Sequence, residues 1–151
     1  MTSAALWIFI PLVLAAGIGV ACQAAVNSVM RTTLANPVGA ALVNFGVGAV
    51  ALLLYKFATG APWPDPAKLA TAPWWAFTGG FFGAFMVVIG IVAVPRIGAA
   101  MFFALLIAGQ MVASSVIDHY GLFGIPMKPF SLVRLAAVLL VLGGASLLRL
   151  K

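Results

Sequence analysis

The feature that most constrains the fold is a series of five apolar runs, each long enough to cross a bilayer, separated by charged residues and Pro/Gly clusters. Hydrophobic residues make up 65% of the 151 residues and charged residues 7%, whereas soluble domains have about 45–50% and about 25%. A small soluble domain could not cover so much apolar surface. We therefore expect an all-α integral membrane protein with one transmembrane domain, residues 1–151. The predicted helices cover residues 4–30, 37–55, 73–94, 97–117 and 130–148.

Strands and a signal peptide explain these runs less well. Strands of a membrane barrel would alternate apolar and polar residues, and helices satisfy their own backbone hydrogen bonds in lipid. The first run, residues 4–22, lacks a basic segment before it and exceeds the usual signal-peptide length of about 7–15 apolar residues. We therefore interpret it as a retained first helix.

The scarcity of reactive side chains argues against several function classes. Cys22 and His119 are the single cysteine and the single histidine, and the chain has no glutamate. One chain therefore cannot form an internal disulfide or a multi-histidine metal site, and no nucleophile–base pair or phosphate loop is visible. We expect no enzyme activity, no metal and no cofactor. The net charge of +6 does not indicate nucleic acid, because the basic residues are scattered singly.

The basic residues are divided equally between the two membrane faces that five helices would create. Cytoplasmic loops normally carry the excess of Lys and Arg, so an equal division gives little preference for either orientation. We therefore predict that the chain inserts both ways and pairs as an antiparallel, dual-topology dimer of ten helices. The alternative is that the charges are equal by chance and that another feature decides the orientation. One face carries Lys56, Lys68, Lys128 and Arg134, and the other carries Arg31, Arg96, Arg149 and Lys151.

Three predicted helices each carry a stripe of polar and small residues spaced by four, which places them on one helix face. Polar residues within membrane spans are costly and usually face the bundle interior. They can join neighbouring helices by hydrogen bonds, or they can line a solute site near the middle of the membrane. The candidate solute-binding residues are Gln23, Asn27, Asn44, Gln110 and Ser114.

Glycines on the third and fifth helices indicate close packing. Gly79 and Gly83 form a small-xxx-small pair, which allows two helices to approach closely. Gly143 and Gly144 suggest a packing or dimer face on the last helix.

Asp118 closes the fourth helix, where a carboxylate opposes the helix dipole and should have a cationic partner. Within one chain Arg96 belongs to the opposite membrane face, whereas in an antiparallel dimer the partner copy's Arg96 would share the face of Asp118. We therefore predict an intersubunit Arg96–Asp118 pair, against the alternative of a solvated loop carboxylate.

Several short motifs follow one another along the chain: Gln23-Ala-Ala-Val-Asn27, Asn36-Pro37 before Asn44-Phe45 and Gly48, Val94-Pro95-Arg96-Ile97-Gly98-Ala99, Ala108-Gly109-Gln110, and Asp118-His119-Tyr120-Gly121-Leu122. In order and spacing, over nearly the whole chain, they resemble the YdcZ-like proteins. These are the half-size, five-helix members of the drug/metabolite transporter superfamily.

This resemblance implies a multi-pass protein of the bacterial inner membrane that pairs with an inverted copy of itself, or with a closely related paralogue, and transports small molecules. The related small multidrug exporters rely on a glutamate in their first helix, where this chain has the neutral Gln23. Exchange of protons for cations through a buried carboxylate is therefore disfavoured, and a neutral or zwitterionic solute fits better.

Two other functions stay open on the sequence alone. A dimeric ion channel would be expected to show rings of acidic or basic residues, and only Arg96 and Asp118, both near helix ends, could supply them. An accessory or structural membrane subunit is the second alternative.

Overall fold

The structure is a computed structural model that describes residues 3–147. Helices dominate this range and it contains no strand, which confirms the all-α prediction. The helices are α1 (Ser3–Leu34), α2 (Pro37–Thr59), the short α3 (Pro66–Ala70), α4 (Thr78–Ile97), α5 (Ala99–Tyr120) and α6 (Leu132–Leu147). Single 3₁₀ turns, Trp74–Phe77 and Leu122–Gly124, precede α4 and follow α5.

Four segments of the described chain are long and apolar enough to cross a membrane. They correspond to the first four predicted spans, and at most 17% of any of them is buried within the protein. Such exposure of apolar surface is stable only in lipid. The segments are Ile8–Leu34, Pro37–Thr59, Trp74–Ile97 and Ala99–Tyr120.

The fifth predicted span corresponds to α6, which has 16 residues and ends at the edge of the described chain. Residue 148, the last residue of that predicted span, lies outside the described residues. A fifth crossing therefore stays a prediction.

Observed helix ends extend beyond several predicted ones. Helices α1 and α2 continue past Arg31 and Lys56 to Leu34 and Thr59. Arg and Lys are good helix formers, so a charge that ends the apolar span does not end the helix. Helix α4 likewise continues through Pro95, and Gly98, at a left-handed φ of 80°, separates it from α5.

The chain divides into two compact units between Pro95 and Arg96. In the first, α1 and α2 are joined by only two residues and pack side by side. Side chains of α2 and α4 form its buried cluster. The buried cluster is Ala40, Ala41, Val87 and Ile91, with Met30, Met86 and Val88 packed against it. In the second unit, α5 packs against α6, with Phe102, Ala108 and Val138 buried.

Candidate functional site

Two of the predicted site residues meet in the first unit. The side-chain Nε2 of Gln23 on α1 donates a hydrogen bond to Oδ1 of Asn44 on α2, over 3.0 Å. At 1.5 Å per residue, Gln23 lies roughly 16 Å from the end of α1 and Asn44 roughly 10 Å from the start of α2. A bilayer core is about 30 Å thick, so the amide pair lies well inside the membrane.

The amide pair opens onto a groove of about 640 Å³. This volume is in the range of small-molecule sites, about 300–1,000 Å³, which combine apolar walls with a few polar groups. The pair's own hydrogen bond does not use Oε1 of Gln23, an acceptor, or Nδ2 of Asn44, a donor. The groove can therefore offer both kinds of polar contact. It is lined by Gln23, Asn44, Phe45, Gly48, Ala49, Ala51, Leu52 and Tyr55.

The other three predicted site residues lie outside this groove. Asn27 lies one turn beyond Gln23 on α1 and is buried, with 6% of its surface exposed. Gln110 and Ser114 belong to α5 in the second unit, where both side chains are exposed. The Ser114 hydroxyl donates to the backbone carbonyl of Met111 over 3.1 Å. Of the five candidates, the structure thus places only Gln23 and Asn44 in the groove.

The glycine pairs differ in what surrounds them. A side chain at Gly83 would contact the Phe45 ring on α2, 3.9 Å away, so this position faces a neighbouring helix. Gly79, Gly143 and Gly144 have open space around them. Their role in packing against another chain stays a prediction.

Asp118 has a partner within its own chain. Its Oδ2 lies 3.1 Å from Nη1 of Arg134, in the first turn of α6. The following loop folds back onto the end of α5. There the Lys128 N–H donates to the Asp118 carbonyl over 2.7 Å, and the Phe130 N–H donates to Nδ1 of His119 over 3.1 Å. This fold brings Arg134 to the carboxylate.

The Asp118–Arg134 pair removes the reason for which an intersubunit partner was inferred. The pair with the partner copy's Arg96 stays a prediction without that support, and Arg96 itself is exposed. Sequence reasoning missed Arg134, although a signal was available: both residues flank one loop and so belong to the same membrane face.

A pair of double-mutant cycles separates these two partners. Combining Asp118→Asn with Arg134→Gln should give a coupling energy of about 0.5–1 kcal/mol in thermal unfolding, because both groups are partly exposed. Combining Asp118→Asn with Arg96→Gln tests the intersubunit pair and should give a smaller coupling, because Arg134 already contacts the carboxylate. Coupling to Arg96 in the dimer, with none to Arg134, would show that the carboxylate's partner is the other copy.

Comparison with known proteins places the chain in a family. Residues 8–147 match the family model described as "Putative inner membrane exporter, YdcZ". The chain belongs to this family. It is 27% identical over 130 residues to "Inner membrane protein YdcZ" of Escherichia coli strain K12, covering 86% of this chain and 87% of that protein. No solved structure gives a significant match.

The family match confirms the resemblance inferred from the motifs. The protein is a multi-pass protein of the bacterial inner membrane. The family's description is that of an inner membrane exporter and not that of an enzyme.

Proposed function

We propose that the protein transports small molecules by alternating access as an antiparallel homodimer, with the Gln23–Asn44 groove as part of the solute site. The observation that carries this proposal is the amide pair between two helices of membrane length, on a largely apolar groove. Polar groups at this depth are expensive unless they serve packing or a solute. The groove leaves room for a solute beside them.

The exposed amide of Gln110 supports a second copy. Gln110 lies near the centre of α5, a helix of membrane length. An amide exposed to hydrocarbon at this depth costs free energy, and a second chain could satisfy it. An inverted copy would also reproduce the inverted repeats of many transporters. In this dimer Gln110 and Ser114 would complete the solute site, and Asn27, buried one turn from Gln23, would support it.

The solute that fits best is neutral or zwitterionic. The chain has no glutamate and the groove has no charged residue in its lining. Amides donate and accept hydrogen bonds without favouring either sign of charge. A cation paired with a buried carboxylate is therefore a poorer fit.

An ion channel is the second candidate, and the structure gives it little support. Many ion channels select ions with rings of charged groups along the path. Asp118, one of the two residues available, is already paired with Arg134. Flux through protein-containing liposomes would separate the two functions, because channels pass ions far faster than transporters.

A screen of neutral, zwitterionic and cationic solutes on the purified dimer tests the proposal. A bound solute raises the unfolding temperature by mass action, so we expect at least one neutral or zwitterionic compound to do so. Gln110→Ala should abolish that increase and leave the dimer intact by size-exclusion chromatography. Stabilisation by cations alone would contradict the proposed solute class, and an undiminished increase in Gln110→Ala would remove Gln110 from the site.

A further inference from the structure

Pro95 leaves one carbonyl of α4 without its helical partner. In an α-helix each N–H bonds to the carbonyl four residues earlier, and proline has no N–H. The carbonyl affected is that of Ile91, since α4 continues through Pro95 to Ile97. Ile91 is 1% exposed and belongs to the buried cluster of the first unit. A buried carbonyl without a donor is destabilising, and lipid supplies no replacement.

Arg31 supplies a donor to this carbonyl. Its Nη1 lies 3.4 Å from the Ile91 oxygen, and the side chain is half-buried. The neighbouring residue Met30 packs against the cluster that contains Ile91, which holds the end of α1 beside α4. Arginines within membrane proteins commonly pair with backbone carbonyls in this way. Arg31 therefore makes a specific contact between helices, besides being one of the basic residues counted for its membrane face.

Arg31 lies on the same face of α1 as Gln23, one of the two residues of the amide pair. Gln23, Asn27 and Arg31 are spaced by four, so they lie above one another on the helix. Gln23 bonds to α2, Asn27 is buried and Arg31 bonds to α4. One polar stripe therefore connects the amide pair to the proline-containing end of α4.

We propose that Arg31 is a positioning residue, whose guanidinium substitutes for the N–H that Pro95 lacks and so holds the end of α4 against α1. Pro95 leaves the Ile91 carbonyl without a donor within α4, and Arg31 of α1 donates to it, which joins the two helices. Because α1 also carries Gln23, the contact fixes α4 relative to the groove. This last consequence rests on the proposed function; the substitution for the missing N–H does not.

A double-mutant cycle with Pro95→Ala tests the proposal. Arg31→Ala should lower the unfolding temperature by roughly 3–8 °C, because it leaves a buried carbonyl unpaired. Pro95→Ala restores an N–H to α4, so Arg31→Ala should cost much less in that background. Pro11, a proline inside α1, provides the matched control. In a Pro11→Ala background the full loss should persist, and Arg31→Lys, which keeps a donor, should recover part of the stability.

Hydrogen exchange at the end of α4 gives a local readout that does not need full unfolding. The amides of residues 92–94 and 96–98 should exchange faster in Arg31→Ala and return toward the wild-type rate when Pro95→Ala is added. An equal loss of stability in the Pro95→Ala and Pro11→Ala backgrounds, or unchanged exchange at this helix end, would overturn the proposal. All these measurements are made without solute, so their outcome does not depend on whether the protein binds one.

Discussion

Replacing Gln23 with leucine is expected to weaken the binding of solute, so that much more solute is needed to stabilise the protein. The substitution keeps the side chain's size and removes one half of the amide pair. A lost hydrogen bond to a buried polar group costs about 1–3 kcal/mol, which corresponds to a roughly fivefold to 150-fold weaker affinity. The measurement is the solute concentration needed to raise the unfolding temperature.

Two further variants make this result specific. Asn44→Leu should weaken binding to the same extent, and the double variant should be little worse, because the two amides act as one unit. Cys22→Leu is the matched control, since Cys22 precedes Gln23 on α1, has an exposed side chain and is absent from the groove lining. Normal affinity in Gln23→Leu would exclude the groove as a solute site.

Two charge-biased variants should each be inactive alone and active together. Ala67→Lys with Thr71→Lys adds two positive charges after α2, and Thr32→Lys with Thr33→Lys adds two at the end of α1. All four side chains are exposed. Each variant breaks the equal division of basic residues, so each should insert in one orientation only. Orientation-matched copies cannot form an antiparallel dimer, whereas the two variants expressed together supply one copy in each orientation.

Co-purification through two different affinity tags measures this complementation. We expect recovery of a dimer, and of solute-dependent stabilisation, only when the two variants are expressed together. Combining the Ala67→Lys/Thr71→Lys chain with a differently tagged copy of itself is the control. A functional dimer made from one variant alone would show that opposite orientations are unnecessary.

Hydrophobic runs and polar spacing predicted much of the fold and two of the residues that line the candidate groove. Run length identified the first four spans because lipid imposes a minimum length on helices. The spacing by four places Gln23 and Asn27 on the same face of α1. The two-residue link between α1 and α2 reverses the direction of the chain, so that Asn44 lies beside Gln23. Their contact follows from these local features.

The missed contacts depend on loops and on the backbone. The Asp118–Arg134 pair forms because residues 121–131 fold back onto α5, a path that hydrophobicity does not encode. The Arg31–Ile91 contact was missed because charge counting assigns each arginine to a membrane face and does not consider which groups its side chain contacts. Pro95 was a usable signal, since the carbonyl it leaves unpaired can be located by counting back four residues.

The orientation of the unmodified chain in living cells tests the central claim most directly. The protein is fused at its C-terminus either to alkaline phosphatase, which is active only outside the cytoplasm, or to green fluorescent protein, which fluoresces only inside it. If copies insert both ways, both fusions give comparable signals at equal expression. A signal from one fusion alone would mean that every copy has the same orientation, which contradicts the antiparallel dimer.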